Sequence, residues 1–134
     1  MSAANEDQLT MLSQAFSKKT RYLRSQESAA FIRYCERVYG VVLNQYGTAD
    51  ADQLALMLDV LHLRPGSHVL HVGCGTGDTT RYLAKKSGAR FVGIDSSKPA
   101  IDRAQELAAI FPEWLAFKVG TMDVLDFLRA RSTR

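Results

Sequence analysis

The sequence predicts an α/β fold in which three strands alternate with two helices (βαβαβ) to form a small parallel sheet, preceded by N-terminal helices. Three observations predict it. Three short strand-like runs, His68–Val72, Arg90–Asp95 and Trp114–Val119, occur in the second half of the chain. The stretches between them read as helical and carry their own start and stop residues. Upstream of residue 66 only helical patterns occur. Strands that alternate with helices pair in parallel through right-handed crossovers.

The elements follow in order. Residues 4–39 read as helical: Leu9, Leu12, Ala15 and Phe16 recur at helical spacing, as do Phe31, Tyr34, Cys35, Val38 and Tyr39. Gly40 is the expected stop. A short connection runs to Gly47. Asp50 then caps a helix with Gln53 as its capping-box partner, and Leu54, Met57, Leu58 and Leu61 form its apolar face. Pro65-Gly66 marks a turn. The first strand ends in Gly73-Cys74-Gly75-Thr76-Gly77, and residues 78–87 read as a helix closed by Gly88. After the second strand, Ser97 caps a helix with Pro99 in its first turn, running to about Ile110. Phe111-Pro112 breaks it, and Gly120-Thr121-Met122-Asp123 follows the third strand.

Composition sets bounds. The 134 residues are one domain's worth, with 46% hydrophobic and 23% charged residues, as in an ordinary globular protein. The net charge of +3 is too small a surplus to indicate nucleic acid, and Arg129, Arg131 and Arg134 in the final stretch read as a solvated basic tail. No run approaches the roughly 18 apolar residues of a membrane span. The start, MSAANEDQL, lacks the basic and apolar regions of a signal peptide. Cys35 and Cys74 lie far apart without metal-ligand spacing and fit free thiols in a reducing compartment, which points to the cytoplasm. His62 and His68 have no metal-ligand partners at useful spacing, so no metal is expected. Tyr34, Tyr39, Tyr46 and Trp114 read as packing residues.

The segment from Val69 to Asp95 carries the chemistry. A strand enters a glycine-rich loop that opens a helix, a geometry that points backbone N–H groups and the positive helix end at a ligand. Gly73 permits the tight turn, Gly75 lets a ligand lie against the backbone, and Gly77 brings the helix close to the strand. Asp95, at the end of the next strand, is placed to accept hydrogen bonds from both ribose hydroxyls of an adenosine-containing ligand. Nicotinamide and flavin sites space their glycines G-x-G-x-x-G. Here Asp78 takes the sixth position, which suits a ligand without a pyrophosphate.

The stretch VLHVGCGTGDTTRYLAKKSGARFVGIDSSKPAIDRAQELA resembles the glycine motif and the following acidic residue of class I S-adenosylmethionine-dependent methyltransferases. The lead-in ERVYGVVLNQYGTADADQLALMLDVLHLRPG resembles that of a bacterial group acting on small molecules, and the likeness covers roughly residues 30–127. It implies a Rossmann-like fold, S-adenosyl-L-methionine as cofactor and in-line methyl transfer to a small-molecule acceptor; the small net charge and the lack of an apolar span speak against nucleic-acid and membrane partners. It places His71, Gly73, Gly75, Gly77, Asp95 and Ser96 in the cofactor site and implies adenine contacts from Thr121, Met122 and Asp123. A lead-in tyrosine would be able to reach the cofactor's carboxylate. The implied organisation is a helical lead-in over 1–66, a cofactor-binding half over 67–127 and a tail over 128–134.

The chain departs from the family pattern in three places. His71 stands where an acidic residue usually favours the cofactor's cationic end; a neutral imidazole can accept a hydrogen bond there, whereas a protonated one would repel the cation. Thr121 stands where the adenine-contacting Asp is often found, with Asp123 two residues on, and either is a candidate. After Leu125-Asp126-Phe127 the family continues into further strands, whereas here LRARSTR ends the sequence. The expectation is therefore a truncated domain with an open sheet edge, self-association through that edge, no methyl transfer by the chain alone, and no assignable catalytic residue. A second reading is a non-catalytic remnant of the cofactor fold that pairs with another chain. A third, an NAD-dependent oxidoreductase, is disfavoured by the glycine spacing.

Overall fold

A computed structural model describes residues 24, 26–44 and 49–123. The expectations for 4–23, Tyr46, Gly47, Leu125–Phe127 and the basic tail lie outside them. The described elements are α1 (Ala29–Tyr39), α2 (Ala51–Leu61), β1 (His68–Val72), α3 (Asp78–Ser87), β2 (Arg90–Asp95), α4 (Lys98–Ile110) and β3 (Leu115–Val119). The strands pair in parallel in the order β1-β2-β3. The expected βαβαβ unit, preceded by helices, is present.

Local signals set most boundaries. The Asp50 side chain accepts from the Gln53 N–H at 2.9 Å while the Gln53 side chain accepts from the Asp50 N–H at 3.0 Å, a complete capping box for α2. Ser97 caps α4 through the Ala100 N–H, with Pro99 in the first turn. Gly40 and Gly88 end α1 and α3 in left-handed conformations. The third strand begins at Leu115 rather than Trp114, although the Trp114 carbonyl still accepts from the Phe91 N–H at 2.8 Å. The Trp114 ring stacks on Phe111 with centroids 6.1 Å apart.

One helical expectation is corrected. The periodicity over 4–39 reads as continuous, but the chain turns at Gln26–Glu27 and α1 starts only after Ser28. Ser28 lies in the extended region and its hydroxyl accepts from the Phe31 N–H at 3.1 Å. A serine side chain that bonds a nearby amide competes with helix continuation, and at this position the cap wins.

Register decides the packing. Val69, Phe91 and Leu115 are level across the sheet, followed by His71, Gly93 and Phe117. Phe91, Leu115 and Phe117 are buried with Leu83, Ala84, Ile101 and Ala104 of α3 and α4. On the alternate positions Arg90, Ala116 and Lys118 are exposed. The C-terminal ends of all three strands therefore point to one rim, where the glycine loop and the loops after β2 and β3 meet. Both cysteines are buried free thiols, and burial pushes the Cys35 thiol above its ordinary range, which makes it a packing group. No helix among the described residues is long and apolar enough to cross a membrane.

Candidate cofactor site

The glycine loop leaves β1 and is fastened to β2 by backbone bonds. The Gly73 and Cys74 N–H groups both donate to the Ile94 carbonyl, at 2.8 and 3.0 Å. Gly73, Gly75 and Gly77 all lie in the left-handed region. A Cβ built on Gly73 meets nothing within 4 Å, so that side of the loop is open to a ligand. Gly77 is different. A Cβ there would stand 2.6 Å from Cζ of Phe117 and 3.2 Å from Cβ of Ala104, so β3 and α4 occupy the space a side chain would need. Sequence reading assigned Gly77 to close helix–strand approach; its partner is the ring of Phe117.

Gly93 escaped notice in the sequence. A Cβ on it would lie 2.6 Å from Phe117 Cδ1 and 2.8 Å from the Cys74 sulfur. The glycine inside a strand was the available signal, since such a residue marks close approach by another group.

Asp95 ties two loops together. Its Oδ2 accepts from the Gly75 N–H at 3.0 Å and its Oδ1 from the Ser97 N–H at 2.8 Å. A carboxylate offers about four acceptor positions in all. The Gly120 N–H donates to the Asp95 carbonyl at 3.1 Å, so the loop with Thr121, Met122 and Asp123 leaves the sheet beside Asp95. All three residues are exposed, as is Ser96. The side-chain hydrogen bond from Thr121, with Asp123's own backbone N–H, holds the Asp123 carboxyl below its ordinary value. Thr121 and Asp123 thus act as one hydrogen-bonded pair.

His71 points toward α3. Its Nδ1 lies 2.7 Å from the hydroxyl of Thr80, which is fully buried. Burial pushes the imidazole pKa below 6.5, partly offset by the negative charge of Asp95. The ring is therefore neutral at neutral pH and adds no positive charge to the loop.

A cavity of about 560 Å³ lies between α2 and the glycine loop. Its polar wall includes His71, Gly73, Gly75, Thr76 and Asp78, and its apolar wall includes Leu54, Met57 and Leu61. Asp95, Ser96 and the 121–123 loop lie outside this wall, on the rim beyond the glycine loop. The anticipated residues are thus split between cavity and rim, with Gly75 as the link. Among the described residues, no group of three or more His, Cys, Asp and Glu could hold a metal ion.

Sequence reading missed Gln26. Among the described residues it is one of four buried polar ones, with Thr76, Thr80 and Ser97. Its amide nitrogen donates to the Asn44 carbonyl at 2.8 Å and reaches the Thr76 hydroxyl at 3.5 Å.

Residues 69–132 match the model of a family described as a methyltransferase domain. The chain is 36% identical over 84 residues to phosphoethanolamine N-methyltransferase 1 of Zea mays, which covers 63% of this chain and 15% of that protein. It is 33% identical over 103 residues to an uncharacterized 37.1 kDa protein of a Streptomyces fradiae transposon, covering 69% of this chain and 30% of the other. The chain thus spans less than a third of the length of these relatives. Among solved structures it resembles an RNA methyltransferase from Salinibacter ruber in complex with S-adenosyl-L-homocysteine, at TM-score 0.52 and 21% identity over 59% of this chain and 53% of that one. It also resembles the [4+2]-cyclase SpnF, at TM-score 0.50 and 24% identity over 55% of this chain and 28% of that one.

The described α/β unit is part of a Rossmann-like class I methyltransferase fold.

Proposed function

We propose that this chain binds S-adenosyl-L-methionine across the glycine loop and forms the cofactor-binding part of a methyltransferase for a small molecule. The observation that carries this reading is Asp95, whose carboxylate sits at the strand ends and joins the amides of Gly75 and Ser97. There it stands where two vicinal hydroxyls of a ribose can be received. The residues fit the cofactor in three further ways. The face of Gly73 is open. His71 is held neutral beside the expected position of a cation. Asp78 at the start of α3 favours a cationic ligand over a pyrophosphate.

When bound, the cofactor supplies a methyl group on a sulfonium to an acceptor held in line with it. Asp95 and the loop amides would orient the adenosine end, and Thr121 with Asp123 would flank the base. The apolar wall from α2 would exclude water. Ser96 belongs to this proposed set, while no catalytic residue is assigned. The division into a lead-in over 1–66, a cofactor-binding part over 67–127 and a tail over 128–134 belongs to the same proposal.

The names of three relatives support a small acceptor: phosphoethanolamine, sterol and tocopherol methyltransferases. One relative is named for 23S rRNA, but the net charge of +3 gives little support for a nucleic-acid partner. A cytoplasmic location accords with the two free cysteines. Among the described residues β1 and β3 are edge strands, through either of which the chain would be able to self-associate.

Isothermal titration with S-adenosylhomocysteine and, separately, NAD tests the reading. Binding of the first and not the second is expected; binding of NAD alone would replace this reading with the oxidoreductase. A pH series adds a second expectation. Because the folded pKa of His71 lies below 6.5, affinity should be level from pH 7 to 8 and fall as acidification charges the ring beside the ligand's ammonium. His71→Asp should remove the histidine contribution to that decline and tighten binding at low pH. If the wild-type and His71→Asp curves fall alike on acidification, His71 is only a packing residue.

A further inference from the structure

We propose that Gln26 is a positioning residue for the cofactor site, holding the Asn44 carbonyl and the Thr76 hydroxyl in the wall that faces the ligand. This rests on the reading of the glycine loop given above, and the experiment separates the two.

The argument begins with an oddity of burial. Gln26 is 4% exposed, yet it belongs to the turn before α1, far in sequence from the sheet. Its neighbour Glu27 meets Arg103 of α4 in an exposed ion pair at 3.5 Å. The turn therefore lies across the strand-end rim, with Glu27 directed to α4 and Gln26 to the glycine loop.

The orientation of the amide follows from its partner. A backbone carbonyl can only accept, so the 2.8 Å contact to Asn44 is made by the NH₂ group. Asn44 is one of two described non-glycine residues with positive φ, at 51°. A left-handed backbone at Asn turns its carbonyl off the course of an extended chain, and the Gln26 amide meets it there. The same NH₂ group reaches the Thr76 hydroxyl at 3.5 Å, a distance at the outer limit for a hydrogen bond. Thr76 in turn donates its one hydroxyl hydrogen to the Asp78 carboxylate at 2.9 Å. Gln26, Thr76 and Asp78 therefore form a directed chain from the lead-in to the start of α3. Asn44, Thr76 and Asp78 all line the cavity.

The amide oxygen of Gln26 has no donor among the described residues. A buried acceptor without a donor carries a cost that a leucine of similar size would avoid. Packing alone therefore does not account for a glutamine here. Its NH₂ group does, because it ties together oxygens of two cavity-lining residues, 18 and 50 positions away in sequence.

Two substitutions in the full chain test this. Gln26→Leu keeps the volume and removes the donor. It should lower the thermal midpoint by no more than a few degrees, because the Asn44 carbonyl loses its donor while the orphaned amide oxygen is removed as well, yet weaken S-adenosylhomocysteine binding by about two- to tenfold, the net range for a lost hydrogen bond. Gln26→Glu supplies a readout that filling space would not move. At pH 8 its carboxylate cannot donate to the Asn44 carbonyl, and binding should be weak. Toward pH 5 the carboxyl takes up a proton, because burial and the nearby Asp78 and Glu27 raise its pKa while Arg103 opposes them. It then becomes a donor, so its affinity relative to wild type should recover. Glu27→Gln, the exposed control, should change affinity less than twofold. If wild type binds S-adenosylhomocysteine and Gln26→Leu binds equally well, the positioning role is overturned and the cofactor site stands. A Gln26→Glu protein whose relative affinity ignores pH overturns it as well. If wild type itself does not bind, the cofactor reading fails and the inference with it.

Discussion

Asp95→Ala should weaken S-adenosylhomocysteine binding by roughly 1.5–3 kcal/mol, about ten- to a hundredfold, the scale of hydrogen bonds to a charged group. Two effects contribute. The ribose loses its acceptor. The Gly75 and Ser97 amides, bonded at 3.0 and 2.8 Å, also lose the group that fixes the loops relative to each other. Asp95→Asn separates them only partly. Its single carbonyl oxygen can serve one amide, while its NH₂ group would face the other N–H, donor against donor. The Asn variant should therefore bind almost as weakly as the Ala variant. Hydrogen exchange at the Gly75 amide should speed up in both. Calorimetry that finds equal affinity in wild type and Asp95→Ala would move the ligand away from this carboxylate.

Gly77→Ala should cost about 2–5 kcal/mol of folding stability, the largest effect expected of any single methyl added to the loop. An L-residue at φ 85° pays a steric penalty of roughly 1–2 kcal/mol. Its Cβ would also lie 2.6 Å from the Phe117 ring and 3.2 Å from Ala104, and overpacking of this kind costs about 1–3 kcal/mol. Neither neighbour has an easy retreat. Phe117 is buried and also fills the space above Gly93, where a methyl would meet the ring at 2.6 Å. Urea unfolding should show a lower midpoint with an unchanged slope. Phe117→Leu in the Gly77→Ala background should recover part of the loss, since it relieves the clash and not the backbone strain. Gly77→Ala within 0.5 kcal/mol of wild type would show that the ring is free to move and that the close approach is incidental.

The cofactor motif was legible because its determinants are near one another in sequence. The order strand, glycine loop, helix and carboxylate is written within Val69–Asp95, and the structure brings Gly75 and Asp95 into contact. The role of His71 was not legible. Sequence left it either charged or neutral, and the choice depends on its burial and on Thr80. Which of Thr121 and Asp123 would meet an adenine was not legible either; the structure adds that a hydrogen bond from Thr121 reaches the Asp123 carboxyl.

The sequence by itself determined the α/β class, the parallel order of elements and nearly every helix boundary. The capping box at Asp50 and Gln53, the Ser97 cap and the glycine stops act within about four residues, so their outcome is settled by neighbours along the chain. Only the tertiary structure decided the break before α1, the need for Gly93 and the place of Gln26. The last two depend on partners distant in sequence, Phe117 for Gly93 and Asn44 and Thr76 for Gln26, while the break joins a local serine cap to the distant contact of Gln26 with Asn44. At residues 26–28 the helical periodicity was real but weakly constraining. A serine cap and a buried amide bond to Asn44 stabilise a turn there, and helix propensities of a few tenths of a kcal/mol per residue do not outweigh them.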